Sequence, residues 1–234
     1  MPAFNEERLL AQSLRSIREA MRAFAEIGWE SELIVCDNNS SDATAVIARE
    51  EGARVVFEPI NQISRARNRG ASVATGSWLI FVDADSHPSQ ALFAAAASEI
   101  IKGRCLAGGS TVRLDLVRPV PRMLVGFWNC ASRTLRWCAG SFIFCETAAF
   151  KAVGGFSEEL FASEEIDLSQ KLKRLGKKGG RRVVILHAHP LVTSARKFHL
   201  YSRTTHLKVF LRALLRPGSL KNPATCELWY DGRR

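Results

Sequence analysis

Two aspartates, Asp83 and Asp85, stand one residue apart directly after the apolar run Trp78–Val82. Five apolar residues in succession are typical of a strand buried on both faces, which favours a parallel sheet. Residues i and i+2 of an extended chain point the same way, so both carboxylates can face one ligand at the carboxyl end of the strand. Paired carboxylates suit Mg²⁺ or Mn²⁺ held together with phosphate oxygens. The alternative is an acidic turn that only closes the strand.

The segments around this strand alternate between helical and extended patterns. Apolar residues at helical spacing predict an amphipathic helix over residues 6–26, with Asn5 as its N-cap. The alternation predicts an α/β fold with a doubly wound, mostly parallel (mixed) sheet flanked by helices. Because no strand precedes Pro2, the first central strand is expected to be missing or truncated, unless the sheet fills that position otherwise. Further strands are predicted at 33–36, 55–57, 106–114, 141–144 and 183–186, and further helices at 40–51, 64–75, 88–102, 121–136, 164–175 and 199–215.

The chain carries a formal charge of +10, which favours an anionic partner such as a nucleotide, an anionic membrane surface or a nucleic acid. The basic residues cluster at 65–69, 171–182 and 196–216, although a solvated basic face explains such clusters equally well. No apolar run is long enough to span a membrane, since polar residues interrupt the best candidate at 123–145. The six cysteines form no CxxC pair, which predicts reduced core thiols in a cytosolic protein.

Five short motifs follow one another in a fixed order along the chain. They are PAFNEE at 2–7, VCDNNSSD at 35–42, ARNRG at 66–70, FVDAD at 81–85, and GGFSE leading to EEIDL at 154–168. In this order and spacing the chain resembles the family-2 glycosyltransferases of the GT-A fold, over residues 2 to about 176. Residues 190–196 are similar to the tail of small soluble bacterial members. The resemblance implies one domain over 1–234, in which about 1–110 bind nucleotide-sugar and metal and about 111–234 shape the acceptor site.

The resemblance also implies roles at a nucleotide site. Asp37 ends a predicted strand and would contact the nucleotide base, although an aspartate there also suits a turn before a helix. Arg67 lies near the start of a predicted helix, where free N–H groups favour anions, and would contact the nucleotide. Asp83 would reach the ribose hydroxyls. The remaining residues implied in nucleotide-sugar binding are Phe4, Asn5 and Glu6.

A divalent cation completes this implied site. Asp85, with Asp83, would bind Mg²⁺ or Mn²⁺ bridging the diphosphate, and the cation would neutralise charge that develops on the leaving nucleoside diphosphate. In some similar enzymes a histidine in the region of His187 and His189 also binds the metal. A structural or surface role suits either histidine equally well. Arg196 could contact the diphosphate or a charged acceptor, or else belong to a solvated face.

Inverting transfer also needs a general base that deprotonates the acceptor hydroxyl. In similar enzymes this base is an aspartate that follows a glutamate at the start of the helix after the Gly-Gly-Phe turn. The corresponding pair here is Glu164-Glu165, so the chain departs from the pattern by one methylene. Glu165 occupies the base position, and Glu164 could serve instead. The alternative is purely structural, with Ser163 capping a helix whose acidic first turn complements the macrodipole.

The resemblance therefore implies transfer of a sugar from a UDP- or GDP-sugar to a hydroxyl acceptor on a glycan, a lipid or a small molecule. One alternative is an impaired relative that binds nucleotide without transfer. A nucleotidyltransferase is disfavoured because residues 2–10 lack a glycine-rich loop, and no nucleic-acid recognition motif is present. The basic helix predicted at 199–215 either packs on the core or docks on an anionic membrane. The expected location is cytoplasmic, including peripheral attachment to the inner face of the membrane.

Overall fold

The computed structural model of the chain describes residues 1–115 and 119–196. Its strands are β1 (Pro2–Ala3), β2 (Ile34–Asp37), β3 (Arg54–Phe57), β4 (Trp78–Val82), β5 (Ser86–His87), β6 (Cys105–Leu114), β7 (Phe142–Glu146) and β8 (Arg182–Thr193). Its helices are α1 (Leu10–Ala25), α2 (Thr44–Glu50), α3 (Ile63–Val73), α4 (Gln90–Ile101), α5 (Pro119–Leu135), α6 (Thr147–Ala152) and α7 (Glu164–Lys178).

The strands form two sheets, one wholly parallel and one mixed. The first has the order β1-β2-β3, with Val35 paired to Val55. The second has the order β4-β7-β6-β8-β5, in which β6 and β8 are parallel and the other neighbours are antiparallel. The predicted mixed α/β architecture is confirmed. The expectation that β4 pairs in parallel was wrong, because its partner β7 runs antiparallel to it, with Ile80 opposite Phe144.

Helices cover both faces of the mixed sheet, which explains why its central strands are continuously apolar. Alternate residues of β7 enter different cores: Phe142 and Phe144 pack with α1 and α4, whereas Ile143 and Cys145 pack with α6 and α7. A third cluster joins α1 and α2 to β2. A cavity of about 820 Å³ is lined by residues of β2 and β4, one strand from each sheet, and by Met1. The short β1 pairs only with β2 among the described strands, and a truncated first strand stays a prediction.

Several element ends differ from the sequence-based expectation. Helix α1 begins at Leu10 rather than at residue 6, so Asn5 is not its cap. Helix α4 is capped by Ser89, whose hydroxyl accepts a hydrogen bond from the Leu92 N–H at 3.2 Å, and not opened by Pro88. Ser163 precedes α7 with a left-handed backbone (φ 63°) and forms no side-chain cap, so the predicted cap was wrong.

The described residues also bear on three compositional expectations. Cys36, Cys105, Cys138 and Cys145 are buried free thiols, as expected, whereas Cys130 is exposed. No helix within residues 1–115 and 119–196 has the length and apolar character needed to cross a bilayer. The helix predicted at 199–215 lies outside the described residues.

Candidate active site

Arg67 is the centre of a buried ion-pair cluster beside the carboxyl end of β4. Its side chain is 2% exposed and donates to Asp83 Oδ1 at 2.8 Å, to Glu164 Oε1 at 2.7 Å and to the Gly140 carbonyl at 2.9 Å. The guanidinium lies over the Phe156 ring, 5.1 Å from its centroid. Burial opposes the positive charge, but the two carboxylates outweigh it and raise the pKa of Arg67. The arginine therefore joins the loop after β4 to the start of α7.

Glu164 and Glu165 are adjacent in sequence but lie in different environments. Glu164 is buried and its carboxylate is held by Arg67. Glu165 is half-buried, and its pKa is raised to about 8 by burial and by the negative charge of Glu164, although Arg67 lowers it. Gly140 allows this close arrangement, since a side chain there would start 3.1 Å from Arg67 Nη2 and 3.7 Å from the Glu165 carboxyl carbon. At neutral pH most of Glu165 is therefore protonated, and the ionised fraction that can accept a proton grows as the pH rises toward 8.

A second group of residues ties the loop after β1 to the loop after β2. Asp37, the last residue of β2, is buried and accepts a hydrogen bond from the Ser40 N–H at 3.2 Å. The Ser40 hydroxyl accepts from the Asn5 N–H at 3.0 Å, and Asn5 Oδ1 accepts from the Ser41 N–H at 2.9 Å. Asn5 has a left-handed backbone (φ 52°), which turns the chain toward these partners. Phe4, the residue before it, is half-buried.

Two buried amides that the sequence reasoning missed brace the same edge. Asn38 donates to the Ile60 carbonyl at 2.6 Å and accepts from the Gln62 N–H at 2.9 Å. The Gln62 side chain, only 1% exposed, donates to the carbonyls of Glu158 at 2.8 Å and Leu160 at 3.0 Å. These bonds connect the end of β2 to the segment that leads into α7. No local pattern signals such bonds, because their partners lie 22 to 98 residues apart in the sequence.

Arg196 lies between two acidic residues of the site. Its Nη2 donates to both carboxylate oxygens of Glu6 at 2.9 Å and stands 3.8 Å from Asp85 Oδ2. Glu6 and Asp85 are both buried. The Asp85 carbonyl accepts from the Ser194 N–H at 3.0 Å, which fixes the end of β8 beside it. Arg196 is thus part of the site and not of a solvated face.

The acidic residues fit a divalent cation that is completed by phosphate oxygens. No group of three or more His, Cys, Asp or Glu side chains within the described ranges could hold a metal by itself. A cation that takes one or two carboxylates and fills its other positions with phosphate and water suits Asp83 and Asp85. His187 and His189 are exposed on β8 and do not gather with these aspartates into such a group. His187 lines a groove beside α5 instead.

The predicted residues other than Phe4, His187 and His189 form one arc that is connected by hydrogen bonds, ion pairs and adjacency in sequence. It runs from Asp37 through Ser40 to Asn5 and Glu6, and continues through Arg196 to Asp85 and Asp83. From Asp83 it passes through Arg67 to Glu164 and Glu165. An arc of carboxylates with two arginines set between them can hold a cation–diphosphate at its middle and a proton acceptor at its end.

Comparison with known proteins identifies the family of the chain. The family model described as "Glycosyl transferase family 2" matches residues 1–137. An uncharacterised glycosyltransferase of Mycobacterium tuberculosis is 33% identical over 109 residues, which are 47% of this chain and 45% of that protein. The 4,4'-diaponeurosporenoate glycosyltransferase of Staphylococcus haemolyticus is 39% identical over 93 residues, covering 36% of this chain and 23% of the relative. The chain spans less than half the length of these curated relatives.

Solved structures of similar fold match nearly the whole chain. The mannosyltransferase PcManGT of Pyrobaculum calidifontis, in complex with GDP-Man and Mn²⁺, superposes with a TM-score of 0.66 at 20% identity, over 99% of this chain and 69% of that one. Glucosyl-3-phosphoglycerate synthase of M. tuberculosis, with Mn²⁺, UDP-glucose and phosphoglyceric acid, gives 0.60 at 18% identity, over 94% and 77%. The match over residues 1–137 together with this fold shows that the chain belongs to glycosyltransferase family 2.

Proposed function

We propose that the protein transfers a sugar from a nucleoside-diphosphate sugar to a hydroxyl acceptor, with inversion at the sugar carbon and with Mg²⁺ or Mn²⁺. The observation that carries the proposal is the connected arc from Asp37 to Glu165. It combines a carboxylate at the end of β2, a pair of aspartates and a proton acceptor of raised pKa. Similar structures that contain GDP-Man or UDP-glucose with Mn²⁺ support a donor of this class.

The donor would lie along residues 1–110. Asp37 presents a carboxylate that can accept an N–H of uracil or guanine, and the loop of Phe4, Asn5 and Glu6 closes beside it. Asp83 has one carboxylate oxygen on Arg67 and the other available for a ribose hydroxyl. Arg67 is therefore a positioning residue for Asp83, because the protein itself uses its terminal nitrogens. Direct contact of Arg67 with the nucleotide stays a prediction.

Asp85, with Asp83, would hold the divalent cation, and the bound cation would supply charge stabilisation for the departing diphosphate. Arg196 neutralises Glu6 and faces Asp85, so it also provides positive charge at this end of the arc. A guanidinium can form two parallel hydrogen bonds to phosphate oxygens. We place Arg196 among the residues that contact the diphosphate. His187 or His189 as a further metal ligand stays a prediction without geometric support.

Glu165 would accept the proton of the acceptor hydroxyl. Glu164 is unsuited to this role because its carboxylate is buried and already paired with Arg67. Glu165 keeps a raised pKa of about 8, and a general base works best when its pKa is near the working pH. Glu165 is one methylene longer than an aspartate, and Gly140, which has no side chain, leaves room beside the Glu165 carboxyl group. Residues from about 111 onward would shape the acceptor site.

The test compares Glu165→Gln with Asp167→Asn, a matched change in the same first turn of α7. Asp167 pairs with Lys171 on the helix surface, so its loss leaves the base untouched. Release of nucleoside diphosphate from UDP- and GDP-sugars is measured with Mn²⁺ and a panel of hydroxyl acceptors. Glu165→Gln is expected to slow acceptor-dependent release by roughly 10²–10⁴-fold, and Asp167→Asn to leave it within about twofold. Equal rates for wild type and Glu165→Gln would refute the base assignment.

A second candidate function is nucleotide binding without transfer, favoured by the presence of Glu165 where similar enzymes have aspartate. It predicts that a nucleoside diphosphate raises the melting temperature while no acceptor in the panel stimulates release. Substitution Glu165→Asp then decides between the two candidates. A gain of acceptor-dependent release in that variant would indicate that the natural chain binds donor but transfers poorly.

A further inference from the structure

A basic groove of about 970 Å³ lies between helix α5 and the paired strands β6 and β8. Arg113 of β6 and Arg122 and Arg133 of α5 line it, and His187 of β8 adds an imidazole. Within the described part of the chain, no carboxylate lines the groove and none of its arginines forms an ion pair. Uncompensated guanidinium groups around a concave surface create a positive potential that attracts an anion.

The floor of this groove is fixed by hydrogen bonds. Asn129 of α5 donates to the Val112 carbonyl and accepts from the Val112 N–H, both at 2.9 Å. This pair of bonds continues the backbone pairing of β6 through a side chain, and so holds the helix at a set distance from the strand. These bonds fix the separation between the strand that carries Arg113 and the helix that carries Arg122 and Arg133.

The outer wall of the groove continues into an exposed apolar face of α5. Met123, Leu124 and Phe127 are 68%, 49% and 73% exposed, which is unusual for three large apolar side chains on one helix. Met123 and Phe127 are one turn apart and directly follow the groove residues Arg122 and Gly126 in sequence. The space beside Gly126 in this helix is open, because nothing lies within 4 Å of the position that a side chain would take there.

The groove also lies close to the arc of site residues. Strand β6 forms one wall up to Leu114, and the next residue, Asp115, accepts a hydrogen bond from the Ala195 N–H at 2.8 Å. Ser194, adjacent to Ala195, donates to the Asp85 carbonyl. A ligand in the groove would therefore sit beside the segment that holds Asp85.

We propose that this groove binds the phosphate head of an anionic membrane lipid, whose acyl chains lie over Met123 and Phe127. Arginine recognises phosphate through paired hydrogen bonds, and large apolar side chains beside basic ones are typical of surfaces that enter the lipid interface. A nucleic acid would use the arginines but would leave three exposed apolar side chains without a partner. If the protein is a glycosyltransferase as proposed above, this position also makes a lipid-borne hydroxyl the acceptor class.

The experiment is vesicle co-sedimentation of the full chain, without nucleotide or metal, so that its outcome does not depend on sugar transfer. Vesicles of phosphatidylcholine alone are compared with vesicles that contain phosphatidylglycerol. Arg122→Gln/Arg133→Gln removes two groove charges, and Arg49→Gln/Arg174→Gln removes two exposed charges elsewhere. The apolar face is tested with Met123→Ser/Phe127→Ser against Val46→Ser/Ile101→Ser, two apolar residues that are 52% and 64% exposed on other helices.

The wild type is expected to bind the anionic vesicles and not the neutral ones. The groove-charge variant should weaken this binding by roughly thirtyfold, since each basic residue at an anionic surface contributes about a 5-fold factor. The apolar variant should also bind less, while both control variants stay within about twofold. Equal losses in the groove and control variants would overturn the proposal. So would binding of single-stranded RNA that depends on Arg122 and Arg133 but not on Met123 and Phe127, with no vesicle binding.

Discussion

Replacing Arg67 with methionine is expected to lower the free energy of unfolding by about 3–5 kcal/mol near neutral pH, as for other buried ion pairs that lose one partner. The reason is the burial of the cluster. The Arg67 and Glu164 side chains are 2% and 5% exposed, and Asp83 is 23% exposed, so water cannot replace the lost guanidinium. The substitution leaves two carboxylates and the Gly140 carbonyl without their donor.

Urea unfolding followed by circular dichroism measures this loss. The matched control is Arg65→Met, which removes an arginine from the same helix. It breaks an ion pair with Glu158, whose two side chains are 33% and 42% exposed, and a hydrogen bond to Gln62 Oε1 at 3.1 Å. That loss should be about 1–2 kcal/mol, less than the loss at Arg67. The double variant Arg67→Met/Glu164→Gln should be more stable than the sum of the single changes predicts, with a coupling of about 0.5–3 kcal/mol, because no unpaired Glu164 charge remains.

The reasoning about Arg67 would be refuted by an Arg67→Met loss no larger than that of Arg65→Met. It would also fail if the two single changes at Arg67 and Glu164 were additive, since additivity would mean that the guanidinium and the carboxylate act independently.

Two further predictions concern titration and packing. The pKa of Glu165 rises from 4.5 to about 8 on folding, so between these values the folded state holds a proton that the unfolded state has lost. The free energy of unfolding should therefore fall as the pH rises through this range. Urea midpoints measured at both ends of the range should differ less in Glu165→Gln than in wild type, and an equal difference would contradict the raised pKa. A side chain at Gly108 would start 2.4 Å from the Phe144 ring, so Gly108→Ala should lower the free energy of unfolding by about 1–3 kcal/mol. Gly126 lies in helix α5 with open space beside it, so Gly126→Ala should instead raise the free energy of unfolding by about 0.5–1 kcal/mol. If thermal unfolding showed a change of the same sign for both alanine variants, the packing of β6 against β7 would be contradicted.

The parts of the fold that the sequence predicted are those set by local periodicity. Strand β4 was predicted with its observed bounds because five apolar residues end at Asp83. The two aspartates after it lie in a turn, in which the Asp83 carbonyl accepts a hydrogen bond from the Ser86 N–H at 3.2 Å, and not on the extended chain that the spacing argument assumed. Helix α7 was predicted from its apolar stripe and acidic first turn. The direction of β7 relative to β4 was not predictable in this way, because an apolar run does not reveal which strand it pairs with.

The misses have a common cause in contacts between distant segments. Asn5 looks like a helix cap, but its side chain is engaged by the loop at residue 41, thirty-six positions away. Strand β8 extends to Thr193, beyond the predicted end at residue 186, because an irregular register opposite Ser110 and Val112 accommodates residues 187–190 with their proline. The contacts of Arg67 with Asp83 and with a helix ninety-seven residues further on were not predicted, while its contact with a nucleotide stays a prediction.

The central claim, a nucleoside-diphosphate site that uses a divalent cation, is tested most directly by thermal unfolding with UDP, GDP, CDP and dTDP, each with and without Mn²⁺. Wild type should be stabilised by one nucleotide only when Mn²⁺ is present, because a ligand that binds the folded state raises its stability by mass action. Asp85→Asn should lose this shift, and Glu19→Gln, a surface change on α1, should keep it. An unchanged melting temperature of the folded wild type with every nucleotide and Mn²⁺ would contradict the account.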